Sequence, residues 1–300
     1  MSAFMIKVTF LGTSGSTPTK NRALPALVIE YKGKLLLFDC GEGTQRQMMR
    51  YGISVSRVDA IFLSHIHGDH TIGVAGLIRT LALNRRESPL DIYVPAGYEK
   101  AINALVKFDD AMLGYRINIH PIKKGVIHKG AGFVVSAFKL RHTVSTYGFV
   151  FKEDDKLHFI KDKLKGTGLK GTMFAELLSK GKLKVGGALI ELKDITVLQR
   201  GVKIVYATDT RPSRDTIAAA QNADLLVHEA TYESTESKLA IERLHSTAKE
   251  SAQLAKSAKA KRLVLTHMSA RYKSLKTLLS EAREVFPDTE VAKDGMSIEL

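Results

Sequence analysis

An α/β fold, with sheets covered by helices, is what this 300-residue chain predicts. Three observations predict it. Short β-branched or aliphatic runs are bounded by Gly, Pro or Asn, as buried strands are. Helical stretches recur between the later runs, and polar residues stand directly after several runs. Strand, polar loop, helix is therefore the repeated unit, and such units pack in layers.

In chain order, strands are expected at 6–12 (IKVTFLG), 26–31 (ALVIEY) and 34–41 (KLLLFDCG). A helix follows over 43–52, where a Met pair lies between polar faces and Gly52 closes the element. The run 58–65 (VDAIFLSH) reads as a strand and 71–85 (TIGVAGLIRTLALNR) as a helix with one apolar face. Further strands are expected at 91–96 and 133–140, then at 202–210, 223–230 and 262–269, with helices at 211–222 and 245–260.

From about residue 152 to 184 the character changes. KEDDKLHFIKDKLKGTGLKGTMFAELLSKGKLK carries nine Lys against five Asp and Glu, locally about +4. It reads as too polar for a core of its own, so a protruding mobile arm is expected. No short-period repeat and no linker divides the chain. One domain over 1–300, with this arm inserted, is the expected organisation.

Hydrophobic content of 44% and charged content of 25% are ordinary for a globular protein. No stretch approaches the roughly 18 apolar residues that cross a bilayer, so no membrane span is expected. The opening MSAFMIKVTFLGTSG runs straight into a strand-like segment and does not read as a signal peptide. Cys40 is the only cysteine, which excludes an intrachain disulfide and a cysteine-rich zinc ribbon. That fits the reducing cytoplasm, the expected location, and leaves histidine and carboxylate to hold any metal. Lys plus Arg is 45 against 31 Asp plus Glu, a net charge of +14. Such an excess steers polyanions, nucleic acid above all.

Ser64-His65-Ile66-His67-Gly68-Asp69-His70 is the strongest chemical feature. Three histidines and an aspartate fall within six positions, after a strand and before a helix. A turn there aims side chains at one point, and imidazole and carboxylate are ligands that zinc accepts without thiolate. More ligands are expected at later strand ends, and His142, Asp209 and His267 each stand just after an apolar run.

The HxHxDH run with the later His, Asp and His resembles the metallo-β-lactamase superfamily. Finer motifs resemble the ribonuclease Z (tRNase Z) family, the tRNA 3′-processing endonucleases, over nearly the whole chain. They are FLGTSGSTPT (10–19), FDCGEGTQRQM (38–48), SHIHGDH (64–70), ATDTR (207–211), HEATY (228–232), HST (245–247) and LTHMSARY (265–272). HxHxDH alone is shared with lactonases, glyoxalase II-like and arylsulfatase-like enzymes; the other motifs are more specific.

The resemblance implies an αββα sandwich and two zinc ions per subunit. His65, His67 and His142 would hold one ion and Asp69, His70 and His267 the other, with Asp209 bridging. It implies attack of a metal-bridging hydroxide on a phosphodiester, with Asp69 as proton acceptor. His245 would protonate the departing ribose oxygen, oriented by Glu229. Cys40 and His228 read as structural.

The implied substrate is precursor tRNA, from which the 3′ trailer is removed to leave a 3′-hydroxyl, and the implied assembly is a homodimer. The basic arm falls where the family carries the exosite that grips the tRNA elbow, making Lys163, Lys165 and Lys170 candidate phosphate contacts. Family arms usually contain Gly-Pro, whereas this chain has Gly171-Thr172. The loop Pro18–Arg22 resembles one placed near the acceptor end, so Lys20 and Arg22 are candidates too, with Ala23 where Asn is common. Arg271 and Arg211 complete the candidate RNA contacts.

Three rival readings fit the sequence less well. A small-ester hydrolase such as an arylsulfatase or phosphodiesterase needs neither the arm nor the charge. A redox di-iron site generally has glutamate where His67 stands. A non-catalytic RNA-binding relative predicts a broken ligand set, and every expected ligand is present.

Overall fold

The computed structural model describes residues 5–107, 109 and 113–300. It divides into two compact units, Met1–Phe151 with Lys203–Leu300, and Lys152–Val202.

The larger unit is built on two seven-stranded sheets. The first runs, in spatial order, Ser297–Glu299, Lys7–Gly12, Ala26–Tyr31, Lys34–Phe38, Val58–Phe62, Leu90–Pro95 and Ile117–Ile122. Its last four strands are parallel. The second runs Thr289–Val291, Leu263–Thr266, Leu225–Glu229, Lys203–Ala207, Thr146–Glu153, Phe133–Leu140 and Gly125–Gly130, and its first four strands are parallel. Parallel strands need crossovers, and the crossovers here are the helices that cover the outer faces.

Aromatic side chains lock the inner faces together. Phe38 of the first sheet lies 5.6 Å from Phe149 and 6.2 Å from Tyr206 of the second. Tyr31 meets Phe133 and Phe151 edge-on, each at 5.8 Å. Outside the first sheet, Val74, Leu77, Ile78 and Leu81 of helix Gly73–Leu83 and Ile102 of helix Glu99–Val106 close a core with Val28, Leu37 and Ile61. Outside the second, Ala252 and Ala255 of helix Ala248–Ser257 and Leu278 of helix Lys276–Arg283 pack on Val205, Leu226 and Leu265. Helix, sheet, sheet, helix is the αββα layering. Each fully buried Leu or Phe in these layers contributes about 1.5–3 kcal/mol.

The expected strands and helices form close to where the sequence places them. The helix expected over 71–85 is divided, with Gly68–Thr71 before Gly73–Leu83. The last expected helix begins only at Ala248, because Thr247 accepts from the Glu250 N–H and Glu250 reaches back in a capping box. His245 and Ser246 are thereby left outside the helix, free to face the site. Strands Ile117–Ile122 and Gly125–Gly130 went unpredicted because they are half-exposed and interrupted by His, Pro or Lys.

Within Lys152–Val202, two hairpin-like ladders pair Lys156–Phe159 with Thr196–Gln199 and Lys182–Val185 with Ala188–Glu191. Contrary to the expectation from its polarity, this segment has a small core. Leu177 of helix Met173–Lys180 is buried with Ile190 and Ile195, and Phe159, Leu164, Leu183 and Leu192 pack against them. The compact unit also runs on to Val202 rather than ending at Lys184. The reason is that its apolar residues are sparse along the chain and gather only when elements on both sides of Lys184 fold together.

Candidate metal centre

The parallel strands aim their carboxyl ends at one place. His65 follows strand Val58–Phe62, Asp209 follows Lys203–Ala207, Glu229 ends Leu225–Glu229, and His267 follows Leu263–Thr266. His142 follows the antiparallel strand Phe133–Leu140. Asp39, Asp209 and His267 all have positive φ, at 57°, 34° and 57°. Such backbone conformations are costly for residues with a Cβ, and here they turn side chains toward the centre. Gly15 is required nearby, since a Cβ there would lie 2.6 Å from Cε1 of His267. The neighbouring Ser16 N–H donates to Asp69 Oδ2 at 2.8 Å.

All seven expected ligands meet there, in two groups. Side-chain donor atoms of His65, His67, His142 and Asp209 lie within 4.8 Å of one another, as do those of Asp69, His70 and His267. Asp209 faces both groups. Its Oδ1 is 3.2 Å from His70 Nε2 and 3.0 Å from His267 Nε2, while Oδ2 is 3.8 Å from His65 Nε2 and 3.7 Å from His142 Nε2.

The tautomers follow from fixed partners behind the centre. His70 Nδ1 donates to Asp39 Oδ2 at 2.8 Å. Ser64 Oγ donates to the same carboxylate at 3.0 Å and so accepts from His65 Nδ1 at 2.9 Å. His142 Nδ1 donates to the Leu244 carbonyl at 3.3 Å. Thr231 Oγ1 donates to Glu229 Oε2 at 2.6 Å and accepts from His267 Nδ1 at 3.0 Å. Each of these four rings therefore presents Nε2, the nitrogen left to bind a metal ion, toward the centre. His70 Nε2 and His267 Nε2 face each other at 3.3 Å, and His142 Nε2 is buried with no hydrogen-bond partner. Converging imidazoles and carboxylates in a buried site need positive charge between them. This donor set suits a divalent metal ion, and the partners behind it orient the ligands.

Electrostatics agree. Burial opposes ionisation of Asp209, but His267, His70 and His65 outweigh it and hold its carboxyl well below the usual range. Burial likewise opposes a charged His70, and Asp209 with Asp39 overcomes it, favouring the imidazolium in the bare protein. His65 is pushed the other way, first by burial and then by His70.

Beside the ligands, His245 Nδ1 donates to Glu229 Oε1 at 2.9 Å, and His245 Nε2 lies 4.0 Å from Asp209. Glu229 is fully buried and also accepts from the Thr210 and Ser246 N–H groups. Burial raises the Glu229 carboxyl, but His245 dominates and brings it down to about 2. Burial lowers His245, and Glu229 and then Asp209 outweigh it, raising the ring to about 9.

A cavity of about 400 Å³ opens onto this cluster, lined by Asp69, His142, Tyr232, His245 and Arg271 among others. Family models match two stretches. Residues 6–177 match one described as Anti-Pycsar protein Apyc1, and residues 166–268 one described as Beta-lactamase superfamily domain. A ribonuclease Z from Methanothermobacter thermautotrophicus is 41% identical over 298 residues, covering 99% of this chain and 97% of that protein. One from Myxococcus xanthus is 38% identical, covering 99% and 98%. The chain belongs to the ribonuclease Z family. It is thus an endoribonuclease of the hydrolase class on the metallo-β-lactamase fold. The solved structure of the short form of human tRNase Z is similar, with TM-score 0.71 and 28% identity over 97% of this chain and 98% of that one.

Other candidates fare unevenly. Lys20 and Arg271 are exposed. Arg22 is half-buried and gives its guanidinium to the Tyr272 and Ser269 carbonyls at 3.2 and 3.0 Å. Arg211 is paired with Glu250 and donates to the His245 carbonyl at 2.7 Å, which makes it a strut of the site. In the Lys152–Val202 unit, Lys163, Lys165 and Lys170 are exposed. Cys40 is buried, its thiol raised to about 12 by burial, and His228 is buried against the Glu229 carbonyl. Residues missed from sequence are those behind the ligands: Asp39, Ser64, Thr231, Tyr206 and Leu244. Asp39, Ser64 and Thr231 lie within the DCGEG, SHIHGDH and HEATY motifs, which was the available signal.

Proposed function

We propose that this ribonuclease Z family member removes the 3′ trailer from precursor tRNA as an endoribonuclease carrying two zinc ions, leaving a 3′-hydroxyl on the tRNA. The observation that carries the two-ion reading is Asp209, whose two oxygens each face a separate group of imidazoles. His65, His67, His142 and Asp209 would hold one ion, and Asp69, His70, His267 and Asp209 the other. Bound there, zinc supplies Lewis acidity toward the phosphodiester and toward water.

The chain's own groups do the rest. Asp69, kept anionic by His267 and His70 against the effect of burial, accepts the proton of the attacking water. His245, holding its proton through Glu229, delivers it from Nε2 to the departing ribose oxygen. Thr231 ties Glu229 to His267, so the acid and a ligand share one support. Lys163, Lys165 and Lys170, with Lys20 and Arg271, neutralise phosphates of the tRNA body and acceptor end, the inserted unit acting as the elbow-gripping arm. The net charge of +14 supports a polyanionic substrate. Among the described residues no helix is long and apolar enough to cross a membrane. A cytoplasmic homodimer completes the reading.

The test uses a labelled precursor tRNA with a 3′ trailer, with and without chelator, and maps the product ends. A single chelator-sensitive cut after the discriminator base is expected. An intact precursor, alongside hydrolysis of a small phosphodiester by the metal-loaded protein, would move the function to small esters.

A further inference from the structure

The cavity over the metal centre has a wall that none of the family motifs covers. Helix Ser237–Glu242 ends at Arg243, and Leu244 then takes φ 56°. That strained residue presents its carbonyl to His142, and the next residue engages Glu229 through its ring. Two successive residues of the turn are therefore anchored on the catalytic frame. Arg243, one position earlier, is held at the cavity wall beside Leu239 and Tyr232 rather than on a free loop.

Across the same cavity stands Arg271, whose guanidinium lies 5.1 Å from the Tyr232 ring centre. The His245 ring meets that tyrosine near edge-on at 6.0 Å. Two arginines from different elements thus line one cavity with an aromatic ring that reaches the proposed acid. Their acidic neighbours do not cancel them. Arg243 Nε is 3.7 Å from Glu242 and Arg271 Nη1 is 3.3 Å from Glu236, and all four side chains are exposed, where ion pairs are weak. Both arginines can turn to a phosphate, which guanidinium binds in a two-pronged manner.

We infer that Arg243 and Arg271 hold the phosphate adjacent to the scissile one, against Tyr232, so that the cavity selects a run of at least two phosphodiesters over a single ester. This rests on the tRNA-processing reading for its substrate and adds Arg243 as a specificity-determining residue.

The experiment compares R243A and R243K with the natural enzyme, all metal-loaded, on a trailer-bearing precursor tRNA and on bis(p-nitrophenyl) phosphate. For R243A, kcat/KM on the precursor is expected to fall about tenfold further than on the diester, chiefly through KM. Its dependence on log salt should flatten by about one unit. R243K, which keeps the charge but not the two-pronged contact, should restore the salt dependence and recover only part of the loss. Equal losses on both substrates, or no loss on the precursor, overturn the inference. If the natural enzyme cleaves the diester but not the precursor, the tRNA reading fails separately. The two-phosphate inference is then decided by a trinucleotide competing with the diester, whose inhibition constant rises about tenfold in R243A or stays put and overturns it.

Discussion

The back and the mouth of the metal centre are built on opposite terms. At the back, Asp39 accepts from His70, Ser64 and Tyr206, and Glu229 accepts from His245, the Thr231 hydroxyl and three main-chain N–H groups, all in buried surroundings. At the mouth, Arg243 and Arg271 are exposed, and both lean on exposed glutamates. Buried, mutually satisfied groups keep one geometry before substrate arrives, which is what positioned chemistry needs. Exposed cations hold no single geometry, and they supply affinity that salt can screen. Substitutions at the back should therefore change turnover and metal content, and those at the mouth or in the Lys152–Val202 unit should change KM and its salt dependence.

The largest effect is expected for Asp209→Ala, because one carboxylate faces both imidazole groups. Turnover should be abolished and bound metal, measured by elemental analysis, should fall in both positions; retention of two ions would break the bridging assignment. Next is His245→Ala, expected to lower kcat by about 10²–10⁴-fold while leaving metal content intact. In the metal-free protein, NMR should find the His245 ring titrating near 9 and Glu229→Gln bringing it down. The His245 value is raised and the Glu229 value lowered, so this pair's stabilisation is full between about pH 4.5 and 6.5, and is lost as pH rises through about 9 or falls through about 2.

Asp39→Asn keeps the shape but weakens the support behind His70 and His65, and should cost about 10–100-fold in metal affinity. An unchanged affinity would show that the imidazoles orient themselves. The smallest change per residue is expected in the inserted unit. Replacing Lys163, Lys165 and Lys170 together by Ala should raise KM for precursor tRNA and flatten the log-salt slope by about two to three units, with kcat held. A fall in kcat instead would erase the division between chemistry and affinity.

Much of the site was legible in the sequence because its ligands announce themselves. The run from His65 to His70 places four donors within one turn, and His142, Asp209 and His267 each end an apolar run. The layered α/β architecture was legible for a similar reason, since buried strands leave aliphatic runs that a polar loop interrupts. Asp39, Ser64, Thr231 and Leu244 left no comparable mark. An aspartate after a strand, a serine before a histidine and a main-chain carbonyl are common, and nothing local says which imidazole each will meet. The core of the Lys152–Val202 unit was hidden likewise, because Leu177, Ile190 and Ile195 lie in segments that each look polar.

By itself, then, the chain determined the metal chemistry, the family and the basic charge that suits RNA, since these depend on residue type and short spacing. Tertiary structure alone decided the tautomer of each buried imidazole, the pairing of Arg211 with Glu250, and the display of Arg243 at the cavity wall. Those outcomes depend on partners distant in sequence: Asp39 meets Tyr206 because the two sheets pack face to face, and Thr231 meets His267 because the strands before them are neighbours in the second sheet.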